Sequence, residues 1–465
     1  MFYNIICVLI IVFVCIYFVF SIKKENYNSV YIICSLFTLV KIICAIRYTE
    51  LNEWDEQFHA LVAKNLLMNP FKPLLISMTD VNLNYEDWTY NNIWLHKQPL
   101  TLWLIALSYK IFGISVFNTR IPSIIMSSIL IILSNSIGKT LYSRRVGLIT
   151  AFLIGMNGFL LDLSTGRAAT DHIDVCFVFF ITLNFYLCLK YLNSDKSVFL
   201  ILAGIALGLS ILTKWLPALI VLPIYYIIGI GSNQRQKKLI TNIFILLLLS
   251  IAIASPWQFY CYFNFTKEYL YEQTFNTRHI FEVIENHNGS IWYHINYLRI
   301  LYGELIYIPL IFILMRTFRK NKINYTNLGI LAWILITLLF FSLVKTKMLG
   351  YTIICLPALY ICTAYFIEIL LRSKYRNRLF TKIIIIVIFA LSTRYTIERI
   401  KPFDIKYGKI QSDYDYSLGP KDLVFNEPNY IKTMFHTSCG AAYPVIPSSE
   451  LVQELKNNGF KIHIR

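Results

Sequence analysis

Seven carboxylates, Glu50, Glu53, Asp55, Glu56, Asp80, Glu86 and Asp87, crowd into residues 50–87 of a chain whose N-terminal third is otherwise apolar. Adjacent acids such as Asp55-Glu56 are the residue types that take a proton from a nucleophile or orient it. The same residues also have a purely structural reading. Phe58, Leu61, Val62 and Leu66 repeat at helical spacing until Asn69-Pro70 stops them. Asp55 or Asn52 can cap that helix, and the neighbouring acids favour its positive end.

Three further clusters carry charge next to apolar stretches. His96-Lys97-Gln98-Pro99 sets a cation before a helix start. Gly166 to Asp174 reads GRAATDHID, in which Arg167 and Asp171 stand four apart and can pair on one helix face, with Asp174 following. Lys345-Thr346-Lys347 precedes Tyr351. Each has a structural alternative, an ion pair at a helix start or a lysine reaching to the membrane surface. Together they set carboxylates beside cations. That combination suits a lipid phosphate and a hydroxyl or amine to be deprotonated, which is the chemistry of glycosyl transfer.

The elements that must hold these groups are membrane helices. Of 465 residues, 57% are hydrophobic and 16% aromatic while 15% are charged, which excludes an ordinary soluble domain. The net charge of +17 comes without a nucleic-acid motif, and the basic residues fall in short clusters between apolar runs. The ten cysteines show no metal-ligand spacing. The predicted spans are 2–22, 29–47, 117–138, 147–163, 172–190, 198–213, 215–231, 241–256, 297–315, 328–344, 349–371 and 380–397, several of them near the ~20 residues that cross a bilayer. Residues 2–22 read as a retained helix, without the basic start or small-residue cleavage site of a signal peptide. The short apolar run Pro99–Phe112, interrupted by Lys110, is expected to lie along the outer surface.

Basic clusters occupy alternate connections: Lys23/Lys24, Lys139/Arg144/Arg145, Lys190/Lys196, Arg235/Lys237/Lys238, Arg316/Arg319/Lys320/Lys322 and Arg372/Lys374/Arg376/Arg378. The positive-inside rule puts these in the cytoplasm. The acidic loop 48–97, the loop 257–296, the Lys345–Met348 turn and the tail then lie outside. The tail, 401–465, mixes Asp, Lys, Pro and Gly with short apolar runs and is expected to form a small α+β extracytoplasmic appendage.

The ordered pieces WDEQFHALVAKNLL, HKQPLTLWLIALSYKIFG, TRIPSIIMSSILIILSNSIGKTLYSRRVGLITAFL and GRAATDHID, followed by LGLSILTKW, SPWQFYCYFNF, Trp292-Tyr293-His294 and FSLVKTKMLGYTIICLPAL, cover about residues 45–370. In this order they resemble the GT-C membrane glycosyltransferases, specifically the bacterial protein O-mannosyltransferases and the lipid A aminoarabinose transferases. The resemblance implies an all-α polytopic fold of about 12 transmembrane helices with outer juxtamembrane helices. It divides the chain into an added N-terminal helix and basic turn (1–28), a transmembrane catalytic domain (29–400, with the first outer loop at 48–116) and the appendage 401–465.

Residue by residue, the resemblance makes Asp55 the catalytic carboxylate, Glu56 its partner and Asp171 a second acid at the site. It makes Lys97, Arg278, Lys345, Lys347 and Tyr351 holders of a polyprenyl phosphate, with His96, Arg167, Asp174 and His294 in support. It implies a lipid-linked sugar phosphate as donor, inversion at the sugar carbon, no metal or other cofactor, and action on the outer face of a bacterial inner membrane. The acceptor, whether glycolipid, protein or surface glycan, is left open. Gln98 stands where the family usually has the first of two prolines, and the tail is shorter than a lectin-like domain. The competing reading is a non-catalytic transporter or flippase of lipid-linked sugar, which discontinuous helices and midplane charges would favour.

The alternation of basic turns makes a direct prediction. In sealed cells, an impermeant thiol reagent should label single cysteines placed at Asn84 and Ser412 and spare one at Lys237; labelling at 237 would reverse the topology.

Overall fold

The computed structural model describes residues 2–78, 81, 83–168, 170–318, 322–372, 379–401 and 417–465. Asp80, Arg319, Lys320, Lys374, Arg376, Arg378 and Ser412, used above, lie outside the described residues.

Nine helices among the described residues are long and apolar enough to cross a membrane, and two bent pairs raise the number to as many as eleven. All twelve predicted segments are helical, although not all are straight spans. The nine straight ones run from Tyr3–Lys23 to Leu379–Ile400. The predicted span 147–163 is instead two helices, Arg144–Gly155 and Gly158–Thr165, bent by 51°. The cause is Asn157, whose Oδ1 accepts the Leu160 amide at 2.7 Å and starts a new helix inside the apolar run. Similarly, 297–315 resolves into Tyr293–Tyr302 and Tyr307–Thr317, bent by 110°. The segment 215–231 is shortened because it opens as a 3-10 turn, Leu216–Ile220, around Pro217, and only then becomes α-helical at Val221–Gly231. Pro99–Phe112 is a short apolar helix, as expected.

Two apolar cores divide the molecule. The larger lies within the bundle and includes Phe37, Phe152, Phe177, Phe185, Trp333 and Tyr360. The smaller is outside it: Phe58, Leu61 and Val62 of the helix Asp55–Asn65 pack with Trp88 and Trp94 of the first outer loop and with Phe425, Phe435 and Tyr443 of the tail. The tail is therefore not a unit standing apart from the rest. Each fully buried aromatic or aliphatic side chain at this seam favours docking by about 1.5–3 kcal/mol.

Within the tail, strands β1 (Asp422–Phe425), β2 (Ala441–Ala442) and β3 (Lys461–Ile464) form a parallel sheet in the order β2-β1-β3. Parallel pairing needs crossovers, and the helices Tyr430–His436 and Ser449–Asn457 supply them. The first of these helices ends on the outer loop's helix. Lys64 Nζ donates to the carbonyls of Met434 (2.6 Å), Phe435 (3.0 Å) and Thr437 (2.9 Å), the oxygens a helix C-terminus leaves without partners.

Lys64→Met should therefore leave these carbonyls bare and weaken docking by about 1–3 kcal/mol. Amide exchange should quicken in β1 and remain unchanged in the helix Val116–Leu141; equal protection of β1 in both proteins would show that the lysine contributes nothing.

Candidate active site

Asp55 begins the helix Asp55–Asn65 and does not cap it, because Trp54 occupies the cap position and no side chain there accepts an amide. This removes the capping alternative for Asp55, which stands in the helix's first turn. Its Oδ1 lies 3.3 Å from Lys97 Nζ, and both side chains are partly open to solvent. Lys97 sits two residues before the helix Pro99–Phe112, whose start is fixed by Pro99 at its first position.

Asp171 caps the helix His172–Ser194, its Oδ1 accepting the Ile173 amide at 2.9 Å. One turn on, Asp174 pairs with Lys214, the last residue of the antiparallel helix Ser197–Lys214. Both acids therefore start one helix where the next one ends, so acids and lysine meet at the same end of the bundle. Gly350 lets them fit: a Cβ there would collide with the Asp174 carboxylate. Tyr351, beside it, stacks on Phe341 at 4.5 Å and has the Lys214 ammonium 5.4 Å from its ring centre.

The electrostatics tie these groups together. Burial pushes the Asp171 carboxyl up, but Lys214, Lys97 and His59 outweigh it and hold the carboxyl at about 2. For Lys97, burial disfavours the ammonium, yet Asp55 and Asp171 more than compensate and raise it above its usual value. Lys97 and Asp171 are therefore both charged at neutral pH. Among the described residues no group of three His, Cys, Asp or Glu is arranged to hold a metal ion.

Several expected site residues are placed elsewhere. Glu56 is fully buried, facing away from Asp55. Its carboxylate takes Arg120 Nε at 2.7 Å and Nη2 at 3.0 Å, and His172 Nε2 lies 3.2 Å away. Burial opposes its charge, and Arg120 with His172 outweighs burial and holds it far below the usual carboxylate range. Its role in the structure is to fasten the outer helix to the bundle. Lys347 is also turned inward, with Nζ donating to Phe341 O (2.9 Å), Ser342 O (2.7 Å) and Val344 O, where the helix Tyr325–Leu343 ends. All three of its protons cap that helix, so none is free for a phosphate. Lys345 is exposed.

Arg278 is exposed and pairs with Glu282 at 2.8 Å on its own helix. Arg167 does not pair with Asp171, because the chain leaves helical geometry at Gly166 (φ 77) and resumes only at His172. Arg167 instead meets Asp162 at 3.2 Å and the Lys401 carbonyl at 3.0 Å. His96 stacks on Trp88 at 4.2 Å and approaches Glu272 to 3.4 Å. His294 is buried behind Tyr351, 6.1 Å between rings.

The sequence reading passed over Lys214, Arg120, His172 and Glu272. Lys214 and Arg120 could have been found as ionisable residues in apolar segments. Glu272 carries no such signal, since it lies in a polar helix, Thr266–Phe281; burial pushes its carboxyl up to about 7 although Lys97 and His279 pull it down.

The family described as dolichyl-phosphate-mannose-protein mannosyltransferase matches residues 96–260. The undecaprenyl phosphate-alpha-4-amino-4-deoxy-L-arabinose arabinosyl transferase of Yersinia pestis (strain Pestoides F) is 26% identical over 315 residues, covering 64% of this chain and 55% of its own. The crystal structure of ArnT from Cupriavidus metallidurans bound to undecaprenyl phosphate aligns with a TM-score of 0.60 at 16% identity, over 77% of this chain and 63% of that one. The archaeal oligosaccharyltransferase AglB from Archaeoglobus fulgidus, in complex with an inhibitory peptide and a dolichol-phosphate, aligns with a TM-score of 0.58 at 12% identity, over 90% and 65%. The chain spans 55–62% of the length of the curated relatives it matches.

The geometry separates Asp55 from Glu56 by experiment. Glu56→Gln leaves the fully buried Arg120 without its counter-charge, and breaking such a pair typically costs about 3–5 kcal/mol. Asp55→Asn, at a partly open position, should change stability by less than about 1 kcal/mol. Thermal melts in detergent should show Glu56→Gln falling well below wild type and Asp55→Asn close to it; the reverse order would exchange the two roles. Fold, matched segment and ordered motifs agree in making the chain similar to the GT-C membrane glycosyltransferases, the aminoarabinose transferases among them.

Proposed function

We propose that the protein transfers a sugar from a polyprenyl-phosphate donor to a nucleophilic acceptor on the outer face of a bacterial inner membrane. The observation that carries this reading is the meeting of Lys97 and Lys214 with Asp55, Asp171 and Asp174 at one end of the bundle. Two ammonium groups match the charge of a departing lipid phosphate, and the partly open Asp55 is placed to take a proton. The relatives' names support the donor class, since one acts on an undecaprenyl-phosphate sugar and two solved neighbours are bound to polyprenyl phosphates.

In this reading the bond between the sugar C1 and the phosphate oxygen breaks and a bond from C1 to the acceptor atom forms. The acceptor's proton passes to the Asp55 carboxylate. The phosphate keeps the bonding pair, and Lys97 and Lys214 neutralise it, with the Tyr351 hydroxyl as a further donor. Asp171 keeps the lysines charged between turnovers. Inversion at the sugar carbon is part of the proposal and rests on the resemblance to the GT-C transferases. Every step uses groups of the chain itself, and metal independence is part of the proposal. Lys345 meets the lipid phosphate from the exposed side of its turn, whereas Lys347 and Arg278 take no part in this reading.

The transporter alternative expects discontinuous helices and charges at mid-membrane; two bent spans are present, so the position of the charges decides between the readings. Here Asp55, Lys97, Asp171, Lys214 and Tyr351 all stand at or next to helix ends, which favours chemistry at a surface.

The test is transfer measured with the lipid-linked sugar that co-purifies with the protein, identified by mass spectrometry. Asp55→Asn should fold and retain donor yet lose rate by on the order of 10²–10⁴-fold, because an amide has no proton affinity to offer. Lys97→Gln should lose donor binding, since a neutral side chain cannot replace a point charge. Both rates should be unaffected by a chelator. Wild-type turnover in Asp55→Asn would remove the base from this mechanism.

A further inference from the structure

Two tryptophans adjoin charged residues of the site, and both have backbones in a region that favours glycine. Trp54 (φ 61, ψ −123) precedes Asp55, and Trp215 (φ 62, ψ −148) follows Lys214. A side chain there crowds its own backbone, so such positions persist only where the surroundings enforce them, and they gather at functional sites. Trp54 is the more telling of the two. Its side chain is 63% exposed, so burial does little to offset the strain.

The indole does not stand alone. Its ring lies 5.9 Å from that of Trp88, which in turn stacks on His96 at 4.2 Å and donates from Nε1 to Glu285 at 2.7 Å. Behind this stack lies Glu272, 4% exposed, whose Oε2 has His96 Nδ1 at 3.4 Å and no hydrogen-bond partner among the described residues. Glu285 is exposed, as are Glu53 and Asp87, which directly precede Trp54 and Trp88 in the chain. An exposed aromatic face with acidic residues next to it, one peptide bond from the proposed base, is complementary to a pyranose ring. The sugar's C–H face packs on indole and its hydroxyls donate to carboxylates.

We propose that the exposed face of Trp54, backed by Trp88 and with Glu53 and Glu285 next to these rings, is a platform that holds a pyranose ring beside Asp55. This rests on the glycosyl-transfer reading and adds to it the residue that positions the sugar. The competing occupant is the lipid surface, where exposed tryptophans also gather. The neighbouring residues argue against it, because their charges are acidic and would repel anionic headgroups.

The experiment is saturation-transfer NMR on the full chain in lipid nanodiscs, with methyl glucoside, mannoside and galactoside as probes and undecaprenyl phosphate binding measured on the same samples. Wild type should saturate ring C–H protons of at least one glycoside. The effect should fall about fivefold in Trp54→Ala and Trp54→Gly, as expected for losing one aromatic contact, and persist in Trp54→Phe. Undecaprenyl phosphate should bind all four proteins equally. Trp54→Gly guards against misfolding, since glycine suits this backbone and should melt no lower than Trp54→Ala. Equal saturation in wild type and Trp54→Ala would overturn the platform, as would saturation confined to lipid headgroups, which would make Trp54 an interfacial anchor. Binding of undecaprenyl phosphate without any glycoside would reject the platform and leave the transferase reading intact. Failure of both ligands would reject both.

Discussion

The structure depends on one buried ion pair, Glu56 with Arg120. A carboxylate with no solvent contact would be prohibitively costly alone, and here it is held by two guanidinium nitrogens with His172 alongside. Arg120 also donates to backbone carbonyls at Ala45 and Glu50, so the pair binds the end of a membrane helix, the start of the outer loop and the outer helix at one point. A pair of this kind contributes little net stability over an apolar contact but tolerates only one geometry. Asp55, the next residue along the helix, inherits its orientation from that restriction and points away from the clamp toward Lys97.

A division of labour follows among residues that look alike. Asp55 and Glu56 are neighbours in sequence and successive helical positions diverge by about 100°, so one faces the lysines and the other the bundle interior. Lys345 and Lys347 divide in the same way, one to the outside and one onto the carbonyls of a helix end. In each pair the chemistry of the side chain is equal and only its surroundings assign the role.

Much of the fold was legible in the sequence because bilayer physics is insistent. Apolar runs such as Tyr325–Leu343 have little other use, and the span expected from 172 is the helix His172–Ser194, whereas its cap, Asp171, reads from sequence as part of a helix face. The bends were less visible, since Asn157 is a single polar residue within an apolar run and its effect comes from one hydrogen bond. At the site, Asp55, Lys97, Asp171, Asp174 and Tyr351 come together as their motif order suggested. Arg167, Lys347 and Glu56 do not: Arg167 turns back to Asp162 and Lys347 to the carbonyls of Phe341, Ser342 and Val344, both within a few residues along the chain, while Glu56 is taken by the distant Arg120. Lys214 went unread because its place beside Asp174 depends on two helices lying antiparallel.

The hold of Lys64 on the tail has a consequence for biosynthesis. Its partner Met434 lies 370 residues later in the chain. Membrane helices form locally and can pack as they are inserted, whereas the smaller core must wait for the segment that carries Phe425, Phe435 and Tyr443 to be made. During that interval Phe58, Leu61 and Val62, side chains that end among the most buried of the outer core, lack part of their cover. The helix bearing Asp55 is thus synthesised long before the strands that complete its cover, and a ribosome that stalls between the two leaves an inserted bundle whose second core is still open.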